Sequence, residues 1–329
     1  MAFMPDTPGN LKVLWRSSVG AEYAAELADP GHLDIRIETD KDEAARQVRG
    51  VRVLVDGAPT ENLLDGPDLR HVIVPYVGVR DSLREGVLAR PHLRLYNSHF
   101  NDAFVAQHAA ALLLACANLI LEGDRTMRGR AWQPHAENGL ESVFLPGKTC
   151  LLLGYGAIGR ELKPRLEGLG LTLSALRRNP DPAGELREYG SDELHAALAE
   201  ADVILVSLPS TPATKNMLDA EAFAVCKSDA ILVNVGRGDV INQQALYNAL
   251  KSGQLRSAGL DVWWNYPKED QATYPADVPL HKLDNVVMSP HRAANYRDWQ
   301  RSSAEDVFKT LSAIRDGGER NRVDPQKGY

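Results

Sequence analysis

The chain has 329 residues, 44% of them apolar and 25% charged, with a formal net charge of −7; these are ordinary globular proportions that exclude a disordered chain, a collagen-like fibre or a coiled coil. At about 150 residues per domain the length suggests two domains, and the acidic balance gives nucleic-acid binding no electrostatic support. Cys116, Cys150 and Cys226 are odd in number and scattered; such a set is no disulfide framework and no metal cluster, and fits a reducing cytoplasm.

The opening MAFMPDTPGN lacks the basic start and apolar run of a signal peptide. The apolar run LKVLW (11–15) is followed by a helical pattern near 20–28, an alternating strand at 35–39, a charged helix at 41–49, and the strands VRVLVDG (51–57), HVIVPYVGV (71–79) and LRLYNS (93–98). Short strands alternating with short helices predict parallel βα units. AFVAQHAAALLLACANLILE (103–122) reads as one long helix with little polar surface. Its apolar stretch is too short for a bilayer, which needs about 20 apolar residues, so a helix buried between domains is expected. RTMRGRAWQPHAENG then reads as a surface loop.

From residue 150 a second series is clearer. The strands CLLL (150–153), LTLSALRR (171–178), DVILVSLP (202–209), AILVNVGRG (230–238), SAGLDVW (257–263) and NVVMSPH (285–291) number six, with a helix at SDELHAALAE N-capped by Ser191. Six strands separated by helices are the complement of a dinucleotide-binding sheet. The helical tail near 296–315 falls outside that alternation and predicts a return to the first domain. The expected architecture is α/β, with two Rossmann-like domains of parallel sheet and a cleft between them. Residues 1–98 plus 297–329 form a discontinuous substrate-binding domain, and 99–296 the dinucleotide-binding domain.

Gly154-Tyr155-Gly156-Ala157-Ile158-Gly159 matches G-x-G-x-x-G. Alone the pattern is weak, but here it follows an apolar strand and opens a helix whose inner face is Ile158, Leu162, Leu166 and Leu169. Gly154 permits the tight turn, Gly156 the approach of a pyrophosphate and Gly159 close helix–strand packing, with the helix N-terminus facing the phosphate charge. About 20 positions on, an acidic residue normally binds the adenosine ribose. The next strand instead ends Arg177-Arg178 with no carboxylate. Guanidinium groups there attract a ribose 2′-phosphate, which predicts NADP(H) in preference to NAD(H), the latter staying an alternative.

The linked motifs LLLGYGAIGREL, ADVILVSLPSTPATKNML, AILVNVGRGDVINQQAL, SAGLDVW and NVVMSPHRAAN, with NSHFNDAFVAQH (97–108) before them, resemble in order and spacing the D-isomer-specific 2-hydroxyacid dehydrogenase family. That family includes glyoxylate/hydroxypyruvate reductases, phosphoglycerate, formate and phosphite dehydrogenases. The resemblance implies that Arg237 holds the substrate carboxylate and polarises its carbonyl, since a guanidinium can clamp an α-oxo acid in a plane. It implies that His291 is the acid in reduction and the base in oxidation, a role suited to an imidazole's near-neutral pKa. Asp261 would bind the nicotinamide carboxamide, and Pro209, Thr214 and Val235 would border the cofactor. Tyr76, Val77 and Gly78 would bind the substrate carboxylate through backbone amides, with His99 lining the cleft. No metal site is implied.

The chain departs from the family at Tyr266, which stands where a glutamate usually supports the catalytic histidine. A phenol can orient an imidazole but cannot support imidazolium as a carboxylate does. Three consequences are open: a lower pKa for His291, a substitute carboxylate such as Glu269, or chemistry that needs no protonated histidine. His108 reads as an interior helix residue and His135 as a loop residue. The expectation is an NAD(P)H-dependent reductase of small 2-oxo acids to D-2-hydroxy acids, cytoplasmic and homodimeric, with no membrane or nucleic-acid partner. The alternatives are an oxidoreductase of a compact oxoanion such as formate or phosphite, and a non-catalytic NAD(P)-binding regulator.

Overall fold

A computed structural model describes residues 10–27, 33–132, 141–267 and 272–326. In chain order the first series is β1 (Leu11–Trp15), α1 (Ala21–Leu27), β2 (Leu33–Ile37), α2 (Lys41–Gln47), β3 (Val53–Val55), α3 (Glu61–Leu64), β4 (His71–Ile73), α4 (Asp81–Leu88) and β5 (Arg94–Tyr96). Next come α5 (Asp102–Ala117), α6 (Ile120–Arg128), β6 (Thr149–Leu153), α7 (Ala157–Gly168), β7 (Thr172–Leu176), β8 (Arg187–Tyr189), α8 (Leu194–Glu200), β9 (Val203–Val206), α9 (Ala220–Ala224), β10 (Ile231–Asn234), α10 (Gln243–Ser252), β11 (Ser257–Leu260) and β12 (Val286–Met288). The chain closes with α11 (Trp299–Arg315) and β13 (Arg322–Val323). It divides into two compact units, Met1–Asn101 with Arg297–Tyr329, and Asp102–Tyr296.

The first unit is built on a six-stranded sheet of order β13-β5-β4-β3-β1-β2. All pairs are parallel except β13 with β5. The second strand lies at 33–37, two residues earlier than its alternation suggests, because Leu11 pairs with Leu33 and Trp15 with Ile37. Asp40 then caps α2, its carboxylate accepting the N–H groups of Asp42 and Glu43. The returning α11 puts Ala304, Val307, Leu311 and Ile314 in one cluster with Trp15, Val55 and Ile73.

The second unit carries a seven-stranded parallel sheet of order β12-β11-β10-β9-β6-β7-β8. The strand the sequence pattern missed is β8, whose Arg-Glu-Tyr has no apolar run and which adds at the edge beside β7. Apolar side chains of both sheet faces form two clusters, one with α5 and α7, the other with α8, α9 and α10.

The expected single helix at 103–122 is two helices. Leu119 takes a left-handed backbone at φ +55°, and α5 and α6 are bent by 62°. Val105, Ala109, Leu112, Leu113 and Cys116 of α5 are buried within this unit's own core. Among the described residues no single helix is long and apolar enough to cross a membrane. Ser191 opens a short 3-10 turn rather than capping a helix, and the Glu193 carboxylate accepts the Gly190 N–H at 2.8 Å. Glu269 and His135 lie outside the described residues.

Candidate active site

The C-terminal ends of parallel strands are where open α/β sheets bind ligands, because the strand-to-helix turns there present free backbone amides. In the second unit, β6 ends at Gly154, whose φ of +99° is a left-handed conformation that favours glycine. A Cβ on Gly159 would come within 2.8 Å of the Gly154 carbonyl oxygen, so this position admits no side chain. A Cβ on Gly156 would meet no protein atom within 4 Å. Gly156 therefore presents an open backbone cradle at the start of α7, whose first amides no capping side chain takes. Tyr155, Ala157 and Ile158 lie in the same turn. This arrangement fits a dinucleotide pyrophosphate, and the residues that would hold it are those of 154–159.

At the end of β7 the expectation needs correction. Arg177 is paired: its Nη1 lies 2.9 and 3.1 Å from the two carboxylate oxygens of Glu188. The Glu188 side chain is only 2% exposed. The missed strand β8 thus brings a carboxylate to a place where the local sequence has none. Arg178 is exposed. Pro209 and Thr214 follow β9, where the Thr214 hydroxyl donates to the Pro209 carbonyl at 2.7 Å. Val235 is buried after β10.

Arg237 follows β10 on a loop held by Asn234, a residue the sequence reading passed over. Its side-chain amide donates to the Arg237 carbonyl at 3.0 Å, and its oxygen accepts the Gly236 N–H at 3.0 Å. The Trp263 backbone presses on the same loop, since a Cβ on Gly238 would fall 2.2 Å from the Trp263 carbonyl oxygen.

His291 lies just beyond β12, in a turn with a φ of +54°. A left-handed non-glycine residue costs on the order of 1–3 kcal/mol and persists only where its surroundings over-determine it. Here they do. Asp261 is buried and accepts the N–H groups of Arg292 at 2.8 Å and Ala293 at 2.9 Å, together with the Ser289 hydroxyl. Trp263 Nε1 donates to the Ser289 carbonyl at 2.8 Å. Burial opposes the charge on Asp261, but hydrogen bonds from His108, Ser289, Ala293 and Arg292 outweigh it and keep the carboxyl below its ordinary pKa. The carboxylate expected at the nicotinamide amide thus also fixes the turn that carries His291.

Tyr266 meets His291 ring against ring, centroids 5.4 Å apart and planes at 66°. Partial burial lowers the His291 pKa below the ordinary imidazole value; the Asp261 charge opposes that and Arg237 adds to it. The same Arg237 charge reaches Tyr266, whose pKa burial raises. Arg237, Tyr266 and His291 are thus electrostatically one group within one unit. Tyr76, Val77, Gly78 and His99 belong to the other unit. There Tyr76 stands over Gly57, Asn97 Nδ2 donates to the Val77 carbonyl at 2.8 Å, and the His99 N–H donates to Asp306 at 2.9 Å. Among the described residues no group of three or more His, Cys, Asp or Glu could hold a metal ion.

The family model for the D-isomer specific 2-hydroxyacid dehydrogenase NAD-binding domain matches residues 110–293, more than half of the chain. The chain belongs to this family. The glyoxylate reductase of Thermococcus litoralis is 31% identical over 283 residues, 84% of this chain and 83% of that one. The D-3-phosphoglycerate dehydrogenase of Mycobacterium leprae is 35% identical over 269 residues, 79% of this chain; the match spans only 48% of that longer protein. Among solved structures, a D-isomer specific 2-hydroxyacid dehydrogenase from Xanthobacter autotrophicus in complex with NADPH and MES superposes with a TM-score of 0.76 at 26% identity, covering 98% of this chain and all of that one. A glyoxylate/hydroxypyruvate reductase from Sinorhizobium meliloti with NADP and sulfate has the same fold, with a TM-score of 0.78, 21% identity, and coverage of 97% and 99% of the two chains. The dehydrogenase fold and a nicotinamide cofactor class follow from these likenesses.

Proposed function

We propose that this dehydrogenase reduces a small 2-oxo acid to the D-2-hydroxy acid with NADPH. The observation that carries the reading is the placement of Arg237 and His291 just beyond the C-terminal ends of β10 and β12, in the unit that bears the glycine turn. The nicotinamide, when bound, supplies the hydride. The Arg237 guanidinium orients the substrate carboxylate and draws charge toward the carbonyl oxygen. Imidazolium at His291 gives that oxygen its proton, and neutral imidazole takes it back in the reverse direction. For Tyr76, Val77 and Gly78 of the first unit we propose a substrate-binding role through their backbone amides.

The NADP preference rests on the two arginines that follow β7, Arg177, which Glu188 pairs, and the exposed Arg178. The relatives known with NADPH or NADP support it. We also infer a homodimer, as the family resemblance implies; the exposed Ile120, Met127, Trp132 and Phe144 of the second unit are apolar side chains that a second copy would cover. A cytoplasmic location is in keeping with three buried free thiols.

The test is consumption of NADPH beside NADH with glyoxylate, hydroxypyruvate, pyruvate and phenylpyruvate. His291→Ala should lose about 100- to 10,000-fold in turnover, the share acid–base catalysis contributes, while NADPH still binds. Unchanged turnover removes His291 from the mechanism. Tyr266 in place of a carboxylate favours one second reading, oxidation of a compact oxoanion. Activity on formate or phosphite with silence on every 2-oxo acid would establish it.

A further inference from the structure

Cys116, Leu112 and His108 lie four residues apart and so share one face of α5. A Cβ on Gly259 would come within 2.9 Å of Leu112 Cβ and 3.4 Å of Cys116 Sγ, so the helix rests directly on β11. Four helical residues advance about 6 Å and two strand residues about 6.6 Å. With Leu112 over Gly259, His108 therefore comes level with Asp261. Its Nε2 lies 2.9 Å from Ser289 Oγ and 3.3 Å from Asp261 Oδ1.

The direction of each bond follows from the groups present. Asp261 takes two backbone N–H groups and is held in its charged form, so it only accepts. The Ser289 hydroxyl must then donate to Asp261. What Ser289 has left for His108 is a lone pair, so Nε2 of His108 must carry a hydrogen. The chain of donation runs from α5, through Ser289, to the carboxylate that fixes the turn.

We propose that His108 is a positioning residue, which through Ser289 and Asp261 fixes the 289–293 turn and sets the orientation of the His291 imidazole. The inference rests on His291 being the proton-transferring group. His108 ties that group to α5, the helix seated on β11. The position requires a hydrogen-bond donor, not a charge or a ring.

Two variants separate these demands. His108→Leu removes the donor, and His108→Gln supplies an amide N–H where Nε2 stood. The first readout needs no substrate: NMR titration of the His291 ring protons in the ligand-free chain. The Tyr266 ring lies against the His291 ring and the charges of Asp261 and Arg237 act on it, so a reoriented ring changes its midpoint. The midpoint should move in His108→Leu and return in His108→Gln. In turnover, kcat of His108→Leu should fall about 10- to 100-fold, the scale of a misplaced reacting group, with NADPH affinity little changed and with recovery in His108→Gln. Should His108→Leu not fold, Ser289→Ala breaks the same chain and should move the same midpoint. An unmoved His291 midpoint in a folded variant, or equal loss in Leu and Gln, overturns the proposal. A wild-type chain that reduces no 2-oxo acid overturns the functional reading instead, while the NMR result still decides the role of His108.

Discussion

His291 combines a left-handed backbone, a buried carboxylate beneath its turn and an aromatic ring at its side. With its pKa below the ordinary imidazole value, the ring is neutral over a range just under neutrality where a free histidine is half protonated. Reduction needs the protonated form, so kcat/KM for reduction should fall as pH rises, with a midpoint below 6.5. Oxidation should show the opposite limb. Tyr266→Glu places an opposite charge beside the ring and should carry the midpoint upward by about one unit or more, the usual effect of such a neighbour. A pH–rate profile of both proteins checks this, and coincident profiles would mean that residue 266 does not reach the proton. The 154–159 glycines were legible because they depend on residue type and immediate strand context, whereas Arg237 and His291 were named only by the family resemblance. The Asp261 contacts were not legible, since Ser289, Arg292 and Ala293 lie 28 to 32 residues away and His108 much further back in the chain.

At the scale of elements, the strand that went unread altered the cofactor argument. Arg-Glu-Tyr at 187–189 has no periodic apolar signal, yet pairing Leu176 with Tyr189 sets Glu188 beside Arg177. Releasing Arg177 from that carboxylate should strengthen attraction to a 2′-phosphate. Glu188→Gln should therefore raise the NADPH-over-NADH ratio of kcat/KM by about ten-fold, in line with a charge-assisted bond of roughly 1.5–3 kcal/mol. Steady-state kinetics with both cofactors checks it. A fall in the ratio would show instead that Glu188 holds Arg177 in its working position. The break between α5 and α6 was likewise hidden, because residues 103–122 are apolar throughout and composition alone marks no bend at Leu119.

Across the whole molecule, the first unit is closed by chain segments about 200 residues apart. Asp306 on α11 accepts from Ser98 at 2.7 Å, from the His99 N–H at 2.9 Å and from Arg320 at 2.6 Å. Burial opposes its charge, but the bonds from Arg320, Ser98 and His99 keep the carboxyl below the ordinary value. A carboxylate whose folded pKa is depressed contributes stability above its unfolded pKa and loses it as pH falls through the folded one. That contribution is thus complete well above the ordinary value of 3.8 and lost below it. Asp306→Ala leaves the partly buried Arg320 without its carboxylate and should cost about 3–5 kcal/mol, read by urea unfolding at neutral pH. The loss should shrink toward zero in acid, and a constant difference at every pH would remove the charge from the account.

The sequence by itself determined the α/β class, the return of the last helix and the glycine turn, since local sterics and apolar periodicity act over a few residues. The family followed from the order of five motifs. Tertiary structure alone decided that Glu188 meets Arg177, that Asp261 serves the turn of His291, and that His108 reaches Ser289 across 181 positions of chain. A hydrogen bond fixes distance and direction between two groups but leaves no periodic trace in either segment. The stacking of α5 on β11 at Gly259 is what brings His108 level with Asp261.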